Sequence, residues 1–227
     1  MFDITSPDIF DNLPVTAFFT GKMTNIDFGK MNSLSINIPV LHYLPIQKHT
    51  NNVIIIDNDL TPKEADAVIT QNPNILIGAR TADCVPILLY DKKKSVIAAV
   101  HAGWRGTALS ILKNSISTLI DKFHSNPLDI IIAIGPSIKY CCYKVGQEVI
   151  DAVILATGNG EYYKQENGDL YINLAEANRL QALSLGVSDN NIWLSTDCAY
   201  CKSDTYFSYR KSPEILGRQG GFICLRP

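Results

Sequence analysis

The sequence predicts an α+β or mixed α/β fold, and three observations lead to that expectation. Short β-branched runs between polar residues, such as NVIIID at 52–57 and SVIAAV at 95–100, are typical of buried strands. Longer stretches with apolar residues three and four positions apart predict amphipathic helices among them. No segment is rich enough in Pro, Gly or Ser to separate domains, so we expect one domain over residues 1–227.

Further strands are predicted in the middle and at the end of the chain. The stretch ILIGARTADCVPILLY, residues 75–90, predicts two strands interrupted by a polar elbow that carries Asp83 and Cys84. Residues 130–134 predict another buried strand, which leads into a Gly-Pro turn signal. Residues 191–227 contain short apolar pieces broken by Cys, Gly and polar residues, a pattern that favours strands over helices.

Helical spacing is found in three segments, residues 109–123, 145–156 and 173–185. The last of them has a suitable N-cap in Asn173, and Gly186 would end it. The apolar face of the first is formed by Leu109, Leu112, Ile116, Leu119 and Ile120.

Composition and charge narrow the classes of function. Hydrophobic residues make up 46% and charged residues 19% of the chain, which is ordinary for a globular protein. A net charge of -2 gives no global attraction to nucleic acids or anionic membranes. The apolar runs are too short to span a bilayer, and the N-terminus lacks a signal-peptide pattern. We therefore expect a cytoplasmic protein with small-molecule substrates, without a nucleic acid or membrane partner and with no signal for a particular oligomeric state.

Histidine is scarce, with four in the chain, so each can be considered singly. His49 precedes one predicted strand, His101 follows another, and Cys84 lies in the elbow between two more. Two imidazoles and one thiolate would bind zinc and leave its fourth position open, as in catalytic zinc sites. A structural cysteine and histidines with ordinary hydrogen bonds are the alternative. His42 and His124 lie in contexts that give no such signal.

Two residues beside these candidates have both a functional and an ordinary interpretation. Arg105 stands in HAGWRGT before a predicted helix, where its guanidinium, backbone N–H groups and the helix dipole could bind an anion such as phosphate. The alternative is a turn whose arginine makes a surface ion pair. Asp83 could act as an acid–base group or orient a ligand, although an aspartate before a turn also commonly caps the backbone.

The remaining cysteines offer a second possible site. Cys198 and Cys201 have Cys-x-x-Cys spacing, and Cys141 and Cys142 are adjacent in the sequence. Four thiols could bind a structural zinc, or one pair could be redox active. The strand-to-helix context of a thioredoxin-like motif is not evident, and the thiols of a cytoplasmic chain are expected to be reduced. Buried or partly buried free thiols are therefore favoured.

Several segments follow one another along the chain: QKHTNNV, TADCVPILL, HAGWRGT, IGPSIKYCCYKVG, DCAYC, FSYR, and GR followed by GFI. In this order they resemble the YfiH-like laccase-domain family, also called multicopper polyphenol oxidoreductases or purine nucleoside phosphorylases. The similarity runs from about Phe18 to Ile223, nearly the whole chain.

The resemblance implies a single α+β domain with a four-layer αββα arrangement and mixed sheets. It implies zinc bound by His49, Cys84 and His101. It also implies phosphorolysis of adenosine, inosine and 5′-methylthioadenosine together with adenosine deaminase activity, so that purine nucleosides and phosphate would be the partners. Asp83, Cys84 and Arg105 are then the catalytic candidates, and Arg105 is the candidate contact for phosphate.

Two positions depart from the family's pattern. Lys22 in FFTGKMTN stands where the family has an arginine, and the paired glycines are missing. Lysine keeps the charge but lacks the bidentate fork, so Lys22 is a weaker candidate for binding an anionic substrate. Ser137 replaces the cysteine of the family's Gly-Pro-Cys-Ile, which removes one potential ligand for copper.

Three other functions remain open at this stage. A copper-dependent polyphenol oxidase could use the same two histidines and cysteine, although a multicopper cluster needs more than four histidines. A metal-free hydrolase could use Cys84 as nucleophile and His101 as base. A redox or metal-storage module built on Cys198 and Cys201 is the non-enzymatic alternative.

Overall fold

The computed structural model describes residues 3–23, 41–214 and 217–226, and its strands and helices are numbered along the chain. Two mixed β-sheets form the centre of the fold, and a smaller antiparallel sheet accompanies them. The five-stranded sheet has the order β1 (Ile4–Thr5), β2 (Val15–Thr20), β14 (Gln219–Leu225), β6 (Ile75–Thr81), β3 (Leu41–Tyr43). The six-stranded sheet has the order β13 (Ile192–Leu194), β9 (Ile130–Ile134), β7 (Val85–Asp91), β8 (Val96–Ala102), β5 (Ala67–Thr70), β4 (Val53–Ile55). The small sheet has the order β10 (Lys144–Val145), β12 (Asp169–Ile172), β11 (Tyr163–Glu166).

The helices of the described chain pack on the six-stranded sheet or on one another. They are α1 (Trp104–Ala108), α2 (Ile111–Phe123), α3 (Gln147–Thr157) and α4 (Leu174–Ser184). The short α1 follows β8 directly, with Gly103 as its N-cap. The end of β8 and the beginning of α1 are therefore separated by this one residue.

Strand β7 shows how the two sheets and the helices share the core. Ile87 and Leu89 pack in the cluster on the helix side of the six-stranded sheet, whereas Leu88 and Tyr90 pack against the five-stranded sheet. Successive side chains of a strand point to opposite faces, so a strand covered on both sides is apolar throughout. Burial of each large side chain stabilises the fold by about 1.5–3 kcal/mol.

The mixed α/β fold with mixed sheets that the sequence predicts is confirmed. The described residues form three of the expected layers, which are the helices, the six-stranded sheet and the five-stranded sheet. On the outer face of the five-stranded sheet, Phe18, Leu76 and Phe222 form a smaller cluster. Within the described ranges, no α-helix packs on that face.

Most predicted elements are found, with one correction. The helix expected at 109–123 begins at Ile111, because Ser110 has a left-handed backbone conformation (φ 61°) that separates α1 from α2. Leu109 is consequently exposed and does not belong to the apolar face. As predicted, Asn173 caps α4 by accepting a hydrogen bond from the backbone N–H of Glu176. The hairpin β11–β12 and strand β2 were not predicted.

No helix in the part of the chain that the structure describes is long and apolar enough to cross a membrane.

Candidate active site

The polar elbow between β6 and β7 carries the chain from the five-stranded sheet to the six-stranded sheet. Asp83 in this elbow has a positive φ of 84°, a conformation that is uncommon for residues other than glycine. Two distant segments hold the elbow in place. The backbone N–H of Ile138 donates to the carbonyl of Asp83 at 3.0 Å, and the backbone N–H of Arg210 donates to its carboxylate at 2.7 Å. Cys84 is the next residue, and its thiol is partly exposed.

His49, Cys84 and His101 converge at this point, as the sequence predicts. One donor atom of each lies within 4.8 Å of the others. The Sγ atom of Cys84 is 3.8 Å from Nε2 of His49, and the two imidazole rings meet edge to face with centroids 4.8 Å apart. His101 is buried near the end of β8, while His49 is exposed. The group is therefore open to solvent on the His49 side.

Asp66, a buried carboxylate directly before β5, fixes two of the three residues. Its Oδ1 atom lies 2.8 Å from Nδ1 of His101 and accepts the backbone N–H of His49 at 3.0 Å. Its Oδ2 atom accepts the backbone N–H and the hydroxyl of Thr50 at 2.6 and 2.8 Å. Because Nδ1 of His101 faces Asp66, Nε2 is the nitrogen left to face Cys84.

Charge interactions favour a thiolate at Cys84. Burial disfavours the thiolate, but His101 and His49 outweigh it and lower the pKa of Cys84 to about 6. Burial likewise disfavours the imidazolium of His101, but Cys84 and Asp66 outweigh it and raise the pKa of His101 to about 9. For Asp66, burial is outweighed by the hydrogen bonds with His101 and Thr50, which hold its pKa well below the usual range.

Gly103 is required by the close packing of this group. A Cβ atom at this position would lie 2.9 Å from Cδ2 of His49 and 3.0 Å from Sγ of Cys84. Any other residue would therefore push the two side chains apart. The first glycine of HAGWRGT is thus explained by the approach of three segments to one point.

The donor set fits a metal ion such as zinc. Zinc bonds of about 2.0–2.3 Å in tetrahedral geometry place a nitrogen and a sulfur ligand roughly 3.6 Å apart, close to the separation found between His49 and Cys84. The thiol is inclined to ionise, as a ligand must. The buried carboxylate behind His101 is the outer partner that metal-binding histidines commonly have. Three such donors leave a further position for water or substrate.

Replacement of Asp66 by asparagine is expected to weaken metal binding by about tenfold to a hundredfold, the usual effect of losing such an orienting carboxylate. Both oxygens of Asp66 accept backbone N–H groups, from Lys48 and Thr50 on one side and from His49 on the other. In either orientation, the NH2 group of an asparagine side chain would therefore face a backbone donor. Metal affinity measured by competition with a chelator checks this expectation. Asp57→Asn, which removes an exposed carboxylate after β4, is the matched control. Equal affinities in both variants would contradict the role assigned to Asp66.

A cavity of about 620 Å³ opens over this group and is strongly basic. Four arginines line it: Arg80, Arg105, Arg210 and Arg218. Among the described residues, no carboxylate lies within salt-bridge distance of any of these four guanidinium groups. Unpaired guanidinium groups in one cavity form a site suited to an anion with several oxygen atoms, such as phosphate.

Aromatic rings support two of these arginines. The guanidinium of Arg105 packs over the ring of Trp104, 4.3 Å from its centroid. That of Arg210 lies over the ring of Tyr143 at 5.0 Å and donates to the carbonyl of Lys144. Stacking restricts the guanidinium orientation without neutralising its charge. Both groups are therefore positioned and still able to bind an anion.

The structure brings together most of the residues that the sequence singles out. Asp83, Cys84, His101 and Arg105 line the cavity with His49. Lys22 is outside it: its ammonium lies over the ring of Phe207 at 5.3 Å and borders a separate, smaller cavity.

Four functional candidates were missed by the sequence analysis. Arg210 and Arg218 belong to the noted segments FSYR and GR, and Arg80 directly precedes TADC, so their motifs carried a signal. Asp66 lies in no such motif, and its only sequence signal was its place before a buried strand.

The stacked sheets, together with a cavity that holds a thiol, two imidazoles and four arginines, define the class of protein: an enzyme with a mixed α/β fold. The chain belongs to the multi-copper polyphenol oxidoreductase laccase family, whose model matches residues 31–226.

Similar proteins carry names of nucleoside enzymes. A purine nucleoside phosphorylase of Bacteroides thetaiotaomicron is 36% identical over 202 residues, which cover 82% of this chain and 72% of the relative. A purine nucleoside phosphorylase of Clostridium acetobutylicum is 39% identical over 189 residues, covering 82% and 78%. The adenosine deaminase RL5, from an unknown prokaryotic organism, is 35% identical over 194 residues, covering 77% and 71%.

Solved structures have the same fold. The crystal structure of YlmD from Geobacillus stearothermophilus superimposes with a TM-score of 0.86 at 26% identity, covering 96% of this chain and 94% of that one. YfiH from Bacillus licheniformis gives 0.83 at 27% identity, covering 93% of both chains.

Proposed function

We propose that this chain is a zinc-dependent purine nucleoside phosphorylase that acts on adenosine, inosine and 5′-methylthioadenosine and also deaminates adenosine. One observation carries the proposal: the open His49–Cys84–His101 group shares its cavity with four arginines that have no acidic partner among the described residues. The names of the relatives from Bacteroides and Clostridium, and of RL5, support both activities.

Zinc is proposed in preference to copper because of the number of histidine donors. A multicopper cluster needs many imidazoles, and the chain has four histidines. His42 lies on β3 and His124 follows α2, and neither belongs to a metal-binding group of the described residues. A single ion bound by two histidines and one cysteine matches catalytic zinc sites. A cytoplasmic location is part of the proposal, since all six cysteines have free thiols.

Phosphorolysis moves the ribose from the purine to phosphate, so the cavity must hold an anion beside a nucleoside. Arg105 is the proposed contact for phosphate, because Trp104 orients its guanidinium and no carboxylate in the described part of the chain forms an ion pair with it. The rings of Trp104, Tyr143 and Tyr209 provide aromatic surface in the same cavity. Such surface would stack on the purine.

The metal and the chain have separate tasks in this proposal. When bound, zinc would act as a Lewis acid that activates water at neutral pH, which deamination of adenine requires. His49, Cys84 and His101 would hold the ion, and Asp66 would orient the imidazole of His101. In phosphorolysis, negative charge develops on the departing purine, and a proton neutralises it.

Asp83 is the proposed source of that proton. It lines the cavity, and burial raises the pKa of its carboxyl group above the usual value despite the hydrogen bond from Arg210. Its Oδ1 atom is buried and has no hydrogen-bond partner among the residues that the structure describes. A carboxyl group whose pKa is raised holds its proton to higher pH than an ordinary aspartate, which favours a role in general acid catalysis.

Incubation of the pure protein with adenosine, in the presence and absence of phosphate, tests the proposed function. We expect adenine and ribose 1-phosphate only when phosphate is present, and inosine in both cases. Both activities should fall when zinc is chelated and return when zinc is added. If neither adenine nor inosine forms with the zinc-loaded protein, the proposal fails.

Asp83→Asn is expected to lower kcat for phosphorolysis by about 10²- to 10⁴-fold, the usual contribution of a general acid. The amide still accepts the N–H of Arg210 but cannot deliver a proton. The pH profile of kcat separates the two roles: a general acid is lost as pH rises through its pKa, so the alkaline limb that belongs to Asp83 should disappear in Asp83→Asn. If Asp83→Asn is as active as the unchanged protein while Asp83→Ala is not, Asp83 only positions the Arg210 segment.

A metal-free cysteine hydrolase is the second candidate, and one observation favours it. Cys84, His101 and Asp66 are arranged as nucleophile, base and orienting carboxylate. His49 separates the two functions, because it belongs to the metal group but not to this triad. Activity that survives both chelation and His49→Ala, together with an acyl group trapped on Cys84, would favour the hydrolase. Loss of activity in both treatments favours the metal enzyme.

A further inference from the structure

A second group of possible metal ligands lies outside the cavity-lining residues. Cys141, Cys142, Cys198 and Cys201 come from two turns that are separated by more than fifty residues in sequence, yet their sulfur atoms all lie within 4.8 Å of one another. We infer that these four thiols bind a thiophilic divalent metal ion such as zinc, independently of the His–Cys–His site. This site does not rest on the proposed function.

The sulfur positions suit tetrahedral coordination. The Sγ atom of Cys201 lies 3.7 Å from that of Cys141 and 3.2 Å from that of Cys142. Four thiolates at about 2.3 Å from zinc would be roughly 3.8 Å apart, so an ion needs only small side-chain adjustments. Cys198 is buried, whereas Cys141 and Cys201 are exposed, which leaves an entry path for the ion.

The backbone holds the two turns together before any ion is added. Ser137 and Cys198 form a parallel bridge, in which the N–H of Ala199 donates to the carbonyl of Ser137 at 3.1 Å. The backbone N–H groups of Lys139 and Cys201 interact with the thiol of Cys198. Backbone donors of this kind stabilise a charged sulfur atom, as metal-bound thiolates require.

A buried cation lies next to these thiols. Lys139 is only 8% exposed, and its ammonium has no hydrogen-bond partner in the described protein. It interacts electrostatically with Cys198 and Cys141 and with the nearby carboxylate of Asp197. A buried lysine is costly unless negative charge lies near it. Zinc with four thiolates carries a net charge of −2, which would provide this charge.

The binding reaction balances without any oxidant or reductant. Four thiols and one Zn²⁺ give one four-thiolate complex and release up to four protons. Disulfide formation instead needs an oxidant and an S–S distance of about 2.05 Å, shorter than any separation found here. Reduced thiols at these distances are therefore suited to metal binding.

The position of the site indicates a structural role. Ile138 and Tyr143 line the basic cavity on either side of the Lys139–Cys142 segment, and the Cys198–Cys201 turn leads towards Tyr209 and Arg210. An ion shared by the two turns would fix these walls of the cavity relative to each other. It would stabilise the fold without touching substrate.

Metal analysis of the full chain, purified without added metal or chelator, tests the inference. We expect about two zinc ions per chain, one in each site. The double variant C142S/C201S should retain about one, and Cys84→Ser should also retain about one, because each removes a different site. Cys224→Ala removes a buried thiol outside both groups and should leave the zinc content unchanged. Zinc content that is the same in C142S/C201S as in the unchanged chain would overturn the inference.

Two further measurements leave the four cysteines unchanged, so they do not depend on the folding of C142S/C201S. Loading Cys84→Ser with Co²⁺ should give the intense visible and charge-transfer bands of a four-thiolate cobalt site. In the native unchanged chain, an alkylating reagent should leave the four cysteines unmodified until a strong chelator is added. Free reaction of all four thiols before chelation, or an intact mass two hydrogens short because of a disulfide, would contradict the proposed site.

Discussion

Cys84→Ser is expected to remove the ion from the His–Cys–His site and to lower both activities by more than about a hundredfold. Loss of a ligand should exceed the tenfold to hundredfold effect of losing a residue that only orients one. Serine preserves the size of the side chain, but its hydroxyl does not ionise near neutral pH, whereas His101 and His49 lower the pKa of the Cys84 thiol to about 6. Metal content and the rates of adenine and inosine formation are the measurements.

Cys224→Ala is the matched control for this prediction. Cys224 is a buried thiol on β14 and lies outside both groups of possible metal ligands. Its removal should leave the metal content and both rates unchanged, although it creates a small cavity in the core. If Cys84→Ser keeps the full metal content of the unchanged protein yet loses activity, Cys84 acts on the substrate directly and the metal assignment is wrong.

Arg105→Gln is expected to separate the two activities. Phosphorolysis needs phosphate and deamination does not, so only phosphorolysis should weaken when the phosphate contact is removed. A hydrogen bond to a charged group contributes about 1.5–3 kcal/mol, which corresponds to a rise of roughly tenfold to a hundredfold in the KM for phosphate. The rate of inosine formation should change by less than about twofold, within the effect of an ordinary surface substitution.

Two further variants make this test specific. Arg105→Lys retains the charge but not the planar fork, and should fall between the unchanged protein and Arg105→Gln. Arg179→Gln removes an arginine of α4 that is paired with Glu176 and Asp189, and should leave the KM for phosphate unchanged. An equal loss of both activities in Arg105→Gln would show that Arg105 supports the cavity generally and does not bind phosphate.

The strands and helices could be predicted from the sequence because burial of an element leaves a local pattern of apolar residues along the chain. Residues 130–134 form a strand buried on both faces, and their uninterrupted apolar run indicated it. Helix α4 begins after Asn173 because an asparagine side chain satisfies a free backbone N–H of the first turn, which is a local interaction. The beginning of α2 was misplaced because the left-handed residue Ser110 interrupts an apolar spacing that otherwise continues.

Some residues of the candidate site could be predicted from the sequence and others could not. Residue type and the motifs around them sufficed to choose His49, Cys84, His101 and Arg105, since few other side chains bind metals or phosphate. Asp66 could not be chosen, because its role depends on the backbone of residues 48–50 folding over its carboxylate. Lys22 shows the reverse case, in which an expected contact instead packs over Phe207.

By itself, the sequence determined which segments form strands and helices and which residue types could bind a metal and an anion. The tertiary structure decided that the elbow at Asp83 and Cys84 crosses between two sheets, and that four arginines from separate segments share one cavity. It also brought two cysteine-containing turns together. The physical reason is range: side-chain periodicity and capping act over a few residues, whereas convergence depends on strand register and sheet stacking between distant parts of the chain.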